Sequence, residues 1–320
     1  MKNILITGAS GFIGSFLVEE GLKKAWKTWA GIRKSSSKEF LQDERIQFID
    51  LHFSDKDFLK KQIEEHTSQY GKWDYVIHNA GATKCLNPSD FDKINYLFSK
   101  NLIEALIETD NIPEKFVLMS SLSAHHPNAN TAYGRSKLKV ETFLESQTDF
   151  PYIIIQPTGV YGPRERDYFL MLKTIRSGLD VAAGMKPQIL SFIYVKDLVK
   201  AVFLAMESPI TNKNYPVSDG KTYTDEEYTR IAKNVLGKKR VLKLRIPLFI
   251  LKIVSVLAEE FSKITKKPST LNRDKYQIMK QRDWSCDTQA LQADFNFEAE
   301  YYLEGGMREC VQWYRENGWL

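Results

Sequence analysis

The stretch that decides the fold is "NILITGASGFIG", Asn3 to Gly14, near the start of this 320-residue chain. A short apolar run leads into a loop with glycines at positions 8, 11 and 14, and a stretch of helical period follows from Phe12 to Trp26. Gly8 permits a tight turn, Gly11 lets backbone amides approach a pyrophosphate, and Gly14 allows close packing of helix on strand. The helix N-terminus adds positive potential. The stretch predicts dinucleotide binding, with an ordinary turn as the alternative.

The same alternation of strand and helix continues beyond this first unit. Strand-like runs are "TWAGI" (28–32), "RIQFI" (45–49), "WDYVIHNA" (73–80), "KFVLMS" (115–120) and "YIIIQP" (152–157). Helical periodicity separates them over Phe53–His66, over Phe91–Thr109 and around Tyr133. Such alternation predicts an α/β fold, a Rossmann-like doubly wound parallel sheet with helices on both faces.

After Pro157 the pattern loosens. Helices are predicted over Tyr168–Ser177 and Asp225–Leu236, with a strand and helix in "SFIYVKDLVKAVFLAM" (191–206). We therefore predict a dinucleotide-binding domain over residues 1–157 and a smaller C-terminal substrate lobe over 158–320. The boundary is soft, because elements of the lobe can return to the first domain.

Composition narrows the class of protein. The chain is 43% apolar and 27% charged, which is typical of globular proteins. Its three cysteines lie far apart, so neither a disulfide framework nor a metal site is predicted. The N-terminus lacks a signal-peptide pattern, and the longest apolar stretch, Ile246 to Ala258, is interrupted by Lys252 and is too short to span a membrane. We expect a cytoplasmic protein without a nucleic-acid partner; the net charge of +5 is mild.

Residues after the second strand bear on the choice of cofactor. A carboxylate at this place binds the adenosine ribose, whereas an arginine accommodates a 2′-phosphate. Here Arg33 and Lys34 occupy it, followed by three serines, and no acid comes before Glu39. The pair favours NADP over NAD, with a solvated basic turn as the alternative.

Two later strand ends add weaker signals for the same cofactor. Asp50 and Leu51 follow the third strand and could bracket the adenine. The small residues Asn79, Ala80 and Gly81 follow the fourth and would let the cofactor lie against the backbone. Ordinary turn chemistry explains each of them equally well, so their value lies in their order along the chain.

The spacing Tyr-x-x-x-Lys, which places a phenol and an amine on one helix face, occurs three times. The pairs are Tyr96/Lys100, Tyr133/Lys137 and Tyr276/Lys280. A phenol with a pKa of about 10 is a poor base at neutral pH, and an ammonium one turn away favours the phenolate and lowers that pKa. Spacing alone does not choose among the three.

The chain resembles an extended short-chain dehydrogenase/reductase, the group that includes NAD(P)-dependent epimerases and dehydratases, dihydroflavonol-type reductases and hydroxysteroid dehydrogenases. The motifs that carry the resemblance are "TGASGFIG", "NAGA", "NYLFSKNLIEAL", "FVLMSSLSA", "YGRSK", "QPTGVYGPRERD", "FIYVKDLVKA", and the tail from "WSCDTQALQADFNF" to "LEGGMRECVQWYRENGWL". They cover nearly the whole chain.

The resemblance implies roles for individual residues. It selects Tyr133 and Lys137 as the catalytic pair, with the lysine also holding the nicotinamide ribose, and Ser121 as the hydroxyl on the reacting oxygen. Ser120 and Ser123 are the alternatives to Ser121. Further cofactor contacts are implied at Ser10, Phe12, Ile13, Pro157, Thr158 and Val160, beside the three glycines. The family acts on small molecules and commonly forms homodimers, so a homodimer is one expectation.

One departure from the family concerns the loop "LSAHHPNANTA", Leu122 to Ala132, which is shorter than in many members. It predicts a more open site and leaves the substrate class unsettled. His125 and His126 in this loop are interpreted as solvated turn residues, with a second acid–base group as the alternative.

The reaction class follows from what accompanies Ser121. Sugar dehydratases of the family place an acidic pair directly after this hydroxyl, and here Leu122 and Ser123 stand there. We therefore predict an enzyme that reduces a ketone or oxidises a secondary alcohol. A nucleotide-sugar epimerase with retained NAD and a non-catalytic dinucleotide-binding subunit are the alternatives.

The segment Lys238 to Lys267 bears on the substrate. It combines an apolar helix with flanking basic residues, a pattern found in helices that lie on anionic membranes, where a lipid- or steroid-like substrate would be collected. The alternative is an amphipathic helix whose apolar side packs on the substrate lobe.

Overall fold

The computed structural model describes residues 1–126, 130–265, 269 and 271–320. Parts of the loop after Ser121 and of the basic segment before Lys267 thus lie outside the described residues. Within the described part of the chain, no helix is long and apolar enough to cross a membrane.

A seven-stranded sheet dominates the described residues. Its order is β11-β6-β5-β4-β1-β2-β3. These strands are β1 Asn3–Thr7, β2 Lys27–Gly31, β3 Gln47–Ile49, β4 Tyr75–His78, β5 Lys115–Met119, β6 Tyr152–Pro157 and β11 Lys213–Val217. The pairings from β3 across to β6 are all parallel. β1, β4, β5 and β6 are buried along their whole length, as expected for strands covered on both faces.

Helices flank this sheet. They are α1 Phe12–Lys23, α2 Lys56–Tyr70, α3 Ser89–Phe91, α4 Phe98–Glu108, α5 Ala132–Glu145 and, returning later in the chain, α7 Val195–Glu207. A π-helical turn, Asp92–Leu97, joins α3 to α4. The predicted doubly wound parallel sheet is confirmed. Two helices differ in detail from the prediction. The region predicted as one helix over Phe91–Thr109 contains this π-helical turn, and the helix predicted over Phe53–His66 begins three residues later and ends four residues later.

The remaining elements form short sheets and helices. They are β7 Gly159–Tyr161, α6 Asp167–Arg176, β8 Leu179–Ala183, β9 Ile189–Leu190, β10 Phe192–Tyr194, β12 Tyr223–Thr224, α8 Asp225–Val235, β13 Leu242–Ile246, α9 Leu248–Thr265, α10 Arg273–Met279, α11 Gln289–Phe295 and α12 Leu303–Glu316. The strands pair as β10 with β7, β12 with β9, and β13 with β8.

The chain divides into two compact units. The first comprises residues 1–125, 132–156 and 199–215, and the second comprises 126–131, 157–198 and 216–320. The core of the first unit is formed by buried side chains of the sheet and of α2, α4 and α5. The second unit has its own core, rich in tyrosine, around β10, α8 and α12. That the second unit binds the substrate stays a prediction.

Candidate active site

The glycine loop is built by a left-handed residue and two close backbone approaches. Gly8 has φ of +64°, and a Cβ there would lie 2.8 Å from the Cα of Ala80. A Cβ on Gly14 would lie 2.1 Å from the carbonyl oxygen of Gly8. A larger residue at position 8 would therefore push the turn away from the end of β4. A larger residue at position 14 would push α1 away from the turn. Gly11 caps α1 and is exposed, and no side chain caps this helix, so its N-terminal amides are available to a ligand beside the turn.

The end of β4 is tied to this turn. Thr7 and His78 are register partners on neighbouring strands. The side-chain amide of Asn79 donates to the Gly8 carbonyl at 3.4 Å, and the Ala80 amide donates to Thr7 Oγ1 at 3.1 Å. The predicted cofactor residues of the two strand ends are thus brought together at one edge of the sheet.

A buried hydrogen-bond chain runs through His78. Ser99 Oγ donates to the Asn95 carbonyl, so its lone pairs accept from His78 Nε2 at 2.8 Å. Since the neutral ring carries its proton on Nε2, Nδ1 accepts from the Thr7 hydroxyl at 2.9 Å, and Thr7 Oγ1 in turn accepts from the Ala80 amide. Burial, aided by the charge of Lys137, lowers the pKa of His78 to about 3. The imidazole therefore stays neutral and holds both neighbours in place.

Asn95 is a site residue to which the sequence reasoning gave no role. It lies in the π-helical turn and is buried. Its Oδ1 accepts from the Ala82 amide at 2.7 Å, and its Nδ2 donates to Ser136 Oγ at 2.9 Å. Asn95 thereby joins the loop after β4 to helix α5. Helices often widen into a π-turn at functional sites, but a one-residue widening leaves no clear mark in hydrophobic periodicity.

The side chains of Tyr133 and Ser121 lie together at the carboxyl end of β5. Their side chains are hydrogen-bonded, and the Ser121 hydroxyl also lies 2.9 Å from that of Ser123. Tyr133 is half-buried, with its ring edge-on to Phe91 at 5.9 Å between centroids. Burial raises the pKa of the phenol, and the hydrogen bond to Ser121 acts in the opposite direction. The expected lowering of this pKa by Lys137 is not found: burial has the largest effect on the phenol, and the hydrogen bond to Ser121 is what opposes it.

Lys137 lies one helical turn further along α5, and its amine is enclosed. Nζ donates to the carbonyl of Met119, the last residue of β5, at 2.7 Å. A Cβ on Gly81 would lie 3.3 Å from Nζ. Burial lowers the pKa of Lys137 to about 8, while the charge of Glu141 acts to raise it. The ammonium is therefore present at neutral pH but easily lost above it.

Glu141, one further turn along, is a buried carboxylate that the sequence reasoning did not single out. It is completely inaccessible to solvent. One oxygen accepts from Ser120 Oγ, and the other accepts from Gln156 Nε2 at 2.7 Å and lies 2.6 Å from His125 Nε2. Ser120 thus points at Glu141, which leaves Ser121 as the hydroxyl that meets Tyr133. His125 is paired with a carboxylate instead of being only a solvated turn residue.

The predicted cofactor-selecting residues lie in a loop after β2. Arg33 and Lys34 are both exposed, and among the described residues neither side chain forms a hydrogen bond or ion pair. The Lys34 amide donates to Asp50 Oδ2 at 3.0 Å, which joins the ends of β2 and β3. Leu51 is buried. The loop after β2 thus exposes two basic side chains, Arg33 and Lys34, to solvent.

Three predicted cofactor residues fall in the second unit. Pro157 ends β6, Thr158 donates through Oγ1 to the Ser191 carbonyl at 2.7 Å, and Val160 lies in β7. Their contact with a cofactor stays a prediction. Ser10, Phe12 and Ile13 lie on the glycine loop and the first turn of α1, all half-buried.

The other two Tyr-x-x-x-Lys pairs lie elsewhere. Tyr96 packs edge-on against Phe143, with 6.4 Å between ring centroids, and Lys100 reaches Glu104 at 3.6 Å. Tyr276 belongs to α10 in the second unit. Only Tyr133 is hydrogen-bonded to a serine at the end of a sheet strand among these described pairs.

The residues of the first unit fit a dinucleotide. The glycine turn leaves no room for a side chain on Gly8 or Gly14, and no side chain caps the start of α1. No acidic residue lies in the first turn of α1 to oppose a phosphate. Gly81 keeps the backbone open directly beside the Lys137 amine. An NAD(P) molecule would be held by this turn, by the loop after β4 and by Lys137.

Known proteins give the same fold. The chain is 24% identical to a ceramide reductase of Caulobacter vibrioides, over 99% of this chain and 96% of the relative. The structure of UDP-glucose 4-epimerase from Thermotoga maritima with UDP-glucose matches with a TM-score of 0.76 at 20% identity, covering 98% of this chain and 99% of that one. A dTDP-glucose 4,6-dehydratase from Bacillus anthracis, in complex with NAD, matches with a TM-score of 0.75 at 18% identity, covering 99% and 97%.

The family model of the NAD dependent epimerase/dehydratase family matches residues 4–218. That range holds the glycine turn, the loop after β4, and all of Ser121, Tyr133 and Lys137. It spans about two thirds of the chain and confirms the resemblance seen in the motifs. The chain is an enzyme that belongs to the NAD-dependent epimerase/dehydratase family.

Proposed function

We propose that this enzyme is an NADP-dependent reductase that converts a ketone of a lipid-like molecule to a secondary alcohol, or catalyses the reverse oxidation. Tyr133 is the proton donor and acceptor, Ser121 holds the reacting oxygen, and Lys137 positions the cofactor. The observation that carries the proposal is the hydrogen bond between Ser121 and Tyr133, with the buried amine of Lys137 one helical turn away.

The protonation states suit reduction. Burial raises the pKa of Tyr133, so the phenol keeps its proton at neutral pH and can donate it to a carbonyl oxygen. Ser121 lies beside it and can donate a second hydrogen bond to the same oxygen as negative charge develops there. When bound, NADPH would supply the hydride that the carbonyl carbon needs. The phenolate left on Tyr133 lies on the helix face of the Lys137 ammonium and regains its proton from solvent.

Two observations favour reduction over the family's sugar chemistry. The residues after Ser121 are Leu122 and Ser123, so the acidic pair used for dehydration has no counterpart there. The likeness to a ceramide reductase extends over nearly the full length of both chains, which supports a lipid-like substrate. The epimerase alternative draws its support from relatives such as the UDP-glucose 4-epimerase of Vibrio cholerae, 23% identical over 96% of this chain.

The exposed cations after β2 support NADP. Arg33 and Lys34 are free to meet a 2′-phosphate, and the turn that carries them is fixed by Asp50. We expect R33D to raise the Kd for NADPH roughly tenfold or more and to change that for NADH much less. Titration of both dinucleotides by fluorescence measures this. Equal effects on the two would assign Arg33 to a solvated basic turn instead.

The reaction is tested with a substrate panel. The purified enzyme is given NADPH or NADH with a long-chain keto lipid in mixed micelles, and separately with UDP-glucose and dTDP-glucose without added cofactor. We expect NADPH oxidation with the keto lipid and formation of the secondary alcohol, seen by mass spectrometry. Formation of epimerised or dehydrated sugar, together with no NADPH oxidation in the assay with the keto lipid, would overturn the reductase assignment. Dinucleotide binding without turnover of any substrate would support a non-catalytic subunit.

Three further statements stay part of the proposal. They are a homodimer, a cytoplasmic location and contact with a membrane surface. The last of these has structural grounds of its own.

A further inference from the structure

Helix α9 has its polar and apolar sides reversed. Its buried residues are Leu251, Ser255, Glu259 and Ser262. Its exposed residues include seven large apolar side chains: Phe249, Ile250, Ile253, Val254, Leu257, Phe261 and Ile264. An ordinary surface helix buries its apolar stripe. The alternative in which this helix packs its apolar side on the second unit is therefore wrong.

The polar side of α9 is held inside by hydrogen bonds. Glu259 accepts from the Arg273 amide and from its guanidinium, each at 2.9 Å. Ser255 donates to the Leu251 carbonyl at 2.6 Å, and Ser262 donates to the Glu259 carbonyl at 2.7 Å. The buried groups are thus satisfied within the chain, and the reversed orientation costs no unpaired polar atom on this face.

The apolar side is large and continuous along the helix. At 100° per residue, the seven side chains fall within an arc of about 140°. Phe249 and Phe261 are each 66% exposed, and Ile264 is 79% exposed. Together the seven leave roughly 800 Å² of apolar side chain in water, more than the few hundred Å² found on a typical monomer. Such a face marks a docking surface.

The strand pair that leads into α9 adds to this apolar surface. In the parallel pair of β8 and β13, Leu242 is the register partner of Leu179, and Leu244 is that of Val181. Register partners project from the same face of a sheet. All four side chains are exposed. Two consecutive elements of the second unit therefore present apolar residues to solvent.

Basic residues accompany the apolar face. From Lys238 to Thr265 the sequence holds seven basic and two acidic residues, and one of the acids is the buried Glu259. Three of the basic residues, Lys243, Arg245 and Lys263, form ion pairs with acidic side chains, which leaves Lys238, Lys239, Arg240 and Lys252 as the main source of positive charge. Lys252 and Lys263 project from one flank of the helix, between its buried and its apolar sides. Lys252 forms no ion pair among the described residues. A long side chain on such a flank can reach lipid phosphates while the apolar face enters the acyl region.

This charge selects the occupant. A second copy of the chain would bring the same basic segment against itself, which opposes association. An anionic bilayer surface attracts the cations and covers the apolar face at once. We propose that α9, together with the exposed face of β8 and β13, docks the enzyme on an anionic membrane surface. The docking itself is argued from the surface of α9, β8 and β13. Its purpose, access to a lipid-like substrate, rests on the proposed function.

Vesicle flotation of the full chain tests the docking without any turnover, so failure of the docking and failure of the reductase assignment are separate results. The probes are vesicles of phosphatidylcholine alone and vesicles with added phosphatidylglycerol. We expect roughly tenfold or more tighter binding to the anionic vesicles, weakening as salt is added. The double variant F249Q/F261Q should lose roughly tenfold or more of this binding. The matched control is F58Q, an exposed phenylalanine on α2, which should bind like the wild type.

Any of the following results would overturn the proposal. One is no flotation of the wild type with anionic vesicles at low salt. Another is equal binding of the wild type and F249Q/F261Q, or equal binding to neutral and anionic vesicles. A further one is a dimer, seen by light scattering, that F249Q/F261Q dissociates and that ignores vesicles, which would show that a second copy covers the face. Circular dichroism and retained NADPH binding establish that the variants fold.

Discussion

Helices α5 and α9 both break the ordinary amphipathic pattern, in opposite directions. α5 buries a lysine and a glutamate, Lys137 and Glu141, at successive turns. α9 exposes its largest apolar residues and buries serines and a glutamate. In α5 the chain itself supplies the compensation, because each buried charge has hydrogen-bond partners from β5, β6 or the loop after β5. On the exposed side of α9 the described residues supply none.

The difference separates two kinds of functional surface. A buried charge with partners inside the protein is preorganised for chemistry that takes place there. An exposed apolar face needs something from outside the chain. Substitutions on the buried side of α5 should therefore cost activity and stability, whereas substitutions on the outer side of α9 should cost neither in solution.

The largest expected effect is on turnover by Y133F. Removing the hydroxyl removes the proton donor, and we expect kcat to fall by about 10³-fold or more. NADPH binding should persist, because the phenol ring and Lys137 stay in place. Steady-state kinetics and a fluorescence titration of NADPH measure the two quantities.

The chain supplies a matched control in Y96F. Tyr96 has the same spacing to a lysine, but it packs against Phe143 and not against a strand-end serine. Its hydroxyl should be dispensable, with kcat within about twofold of the wild type. Equal losses in Y133F and Y96F would remove the catalytic assignment of Tyr133.

The next largest effect should come from E141L. Replacing the carboxylate leaves the donors of Ser120 and Gln156 without an acceptor and takes away the negative charge nearest to Lys137. We expect the free energy of unfolding to fall by about 4 kcal/mol, measured by urea denaturation. E141Q keeps a carbonyl acceptor and should lose less.

A second readout separates positioning from mere packing. Because the charge of Glu141 raises the pKa of Lys137, both E141L and E141Q should shift the alkaline limb of kcat/KM to lower pH. A Glu141 that serves only to fill space would leave this limb where it is in E141Q. An unchanged limb would therefore reduce Glu141 to a structural residue.

The buried polar network also predicts acid sensitivity. The pKa of His78 is about 3 in the folded chain and about 6.5 when unfolded. Above pH 6.5 the imidazole is neutral in both states and contributes nothing. Below 6.5 the unfolded chain binds a proton that the folded chain refuses, so stability falls by about 1.4 kcal/mol per pH unit down to about pH 3. His66, with its pKa lowered to about 4, acts in the same direction.

H78Q isolates this term, because an amide has no titration in the range. The gap in unfolding free energy between the wild type and H78Q should narrow by about 2 kcal/mol between pH 6.5 and pH 4.5. Urea denaturation at the two pH values measures it. A gap that stays constant would mean that His78 takes up its proton in the folded state.

These contrasts also mark what the sequence could predict. The glycine turn and the alternation of strands and helices predicted the sheet, because local turn chemistry and hydrophobic periodicity are written in the sequence. Tyr133 was selected by the resemblance to a family. Asn95 and Glu141 were not identified, since their roles depend on partners distant in sequence. A charged residue on a helix is ordinarily read as solvated.

The orientation of α9 could not be predicted from the sequence for a related reason. Periodicity shows that a helix has an apolar side, but it does not say whether that side meets the protein or something else. The polar residues on its other side gave no warning. The partner of Glu259, Arg273, lies on another helix, and the two serines donate to carbonyls of α9 itself.

The smallest expected effect tests that orientation directly. L257Q and L251Q make the same change on one helix, six residues apart. Leu251 is buried, so L251Q places an amide in the core and should lower the free energy of unfolding of the protein by more than about 2 kcal/mol. Leu257 is exposed, so L257Q should change it by less than about 0.5 kcal/mol. Urea denaturation without lipid compares them. If L257Q is as destabilising as L251Q, the apolar side of α9 is covered by the chain in solution, and both its contrast with α5 and its availability to a membrane disappear.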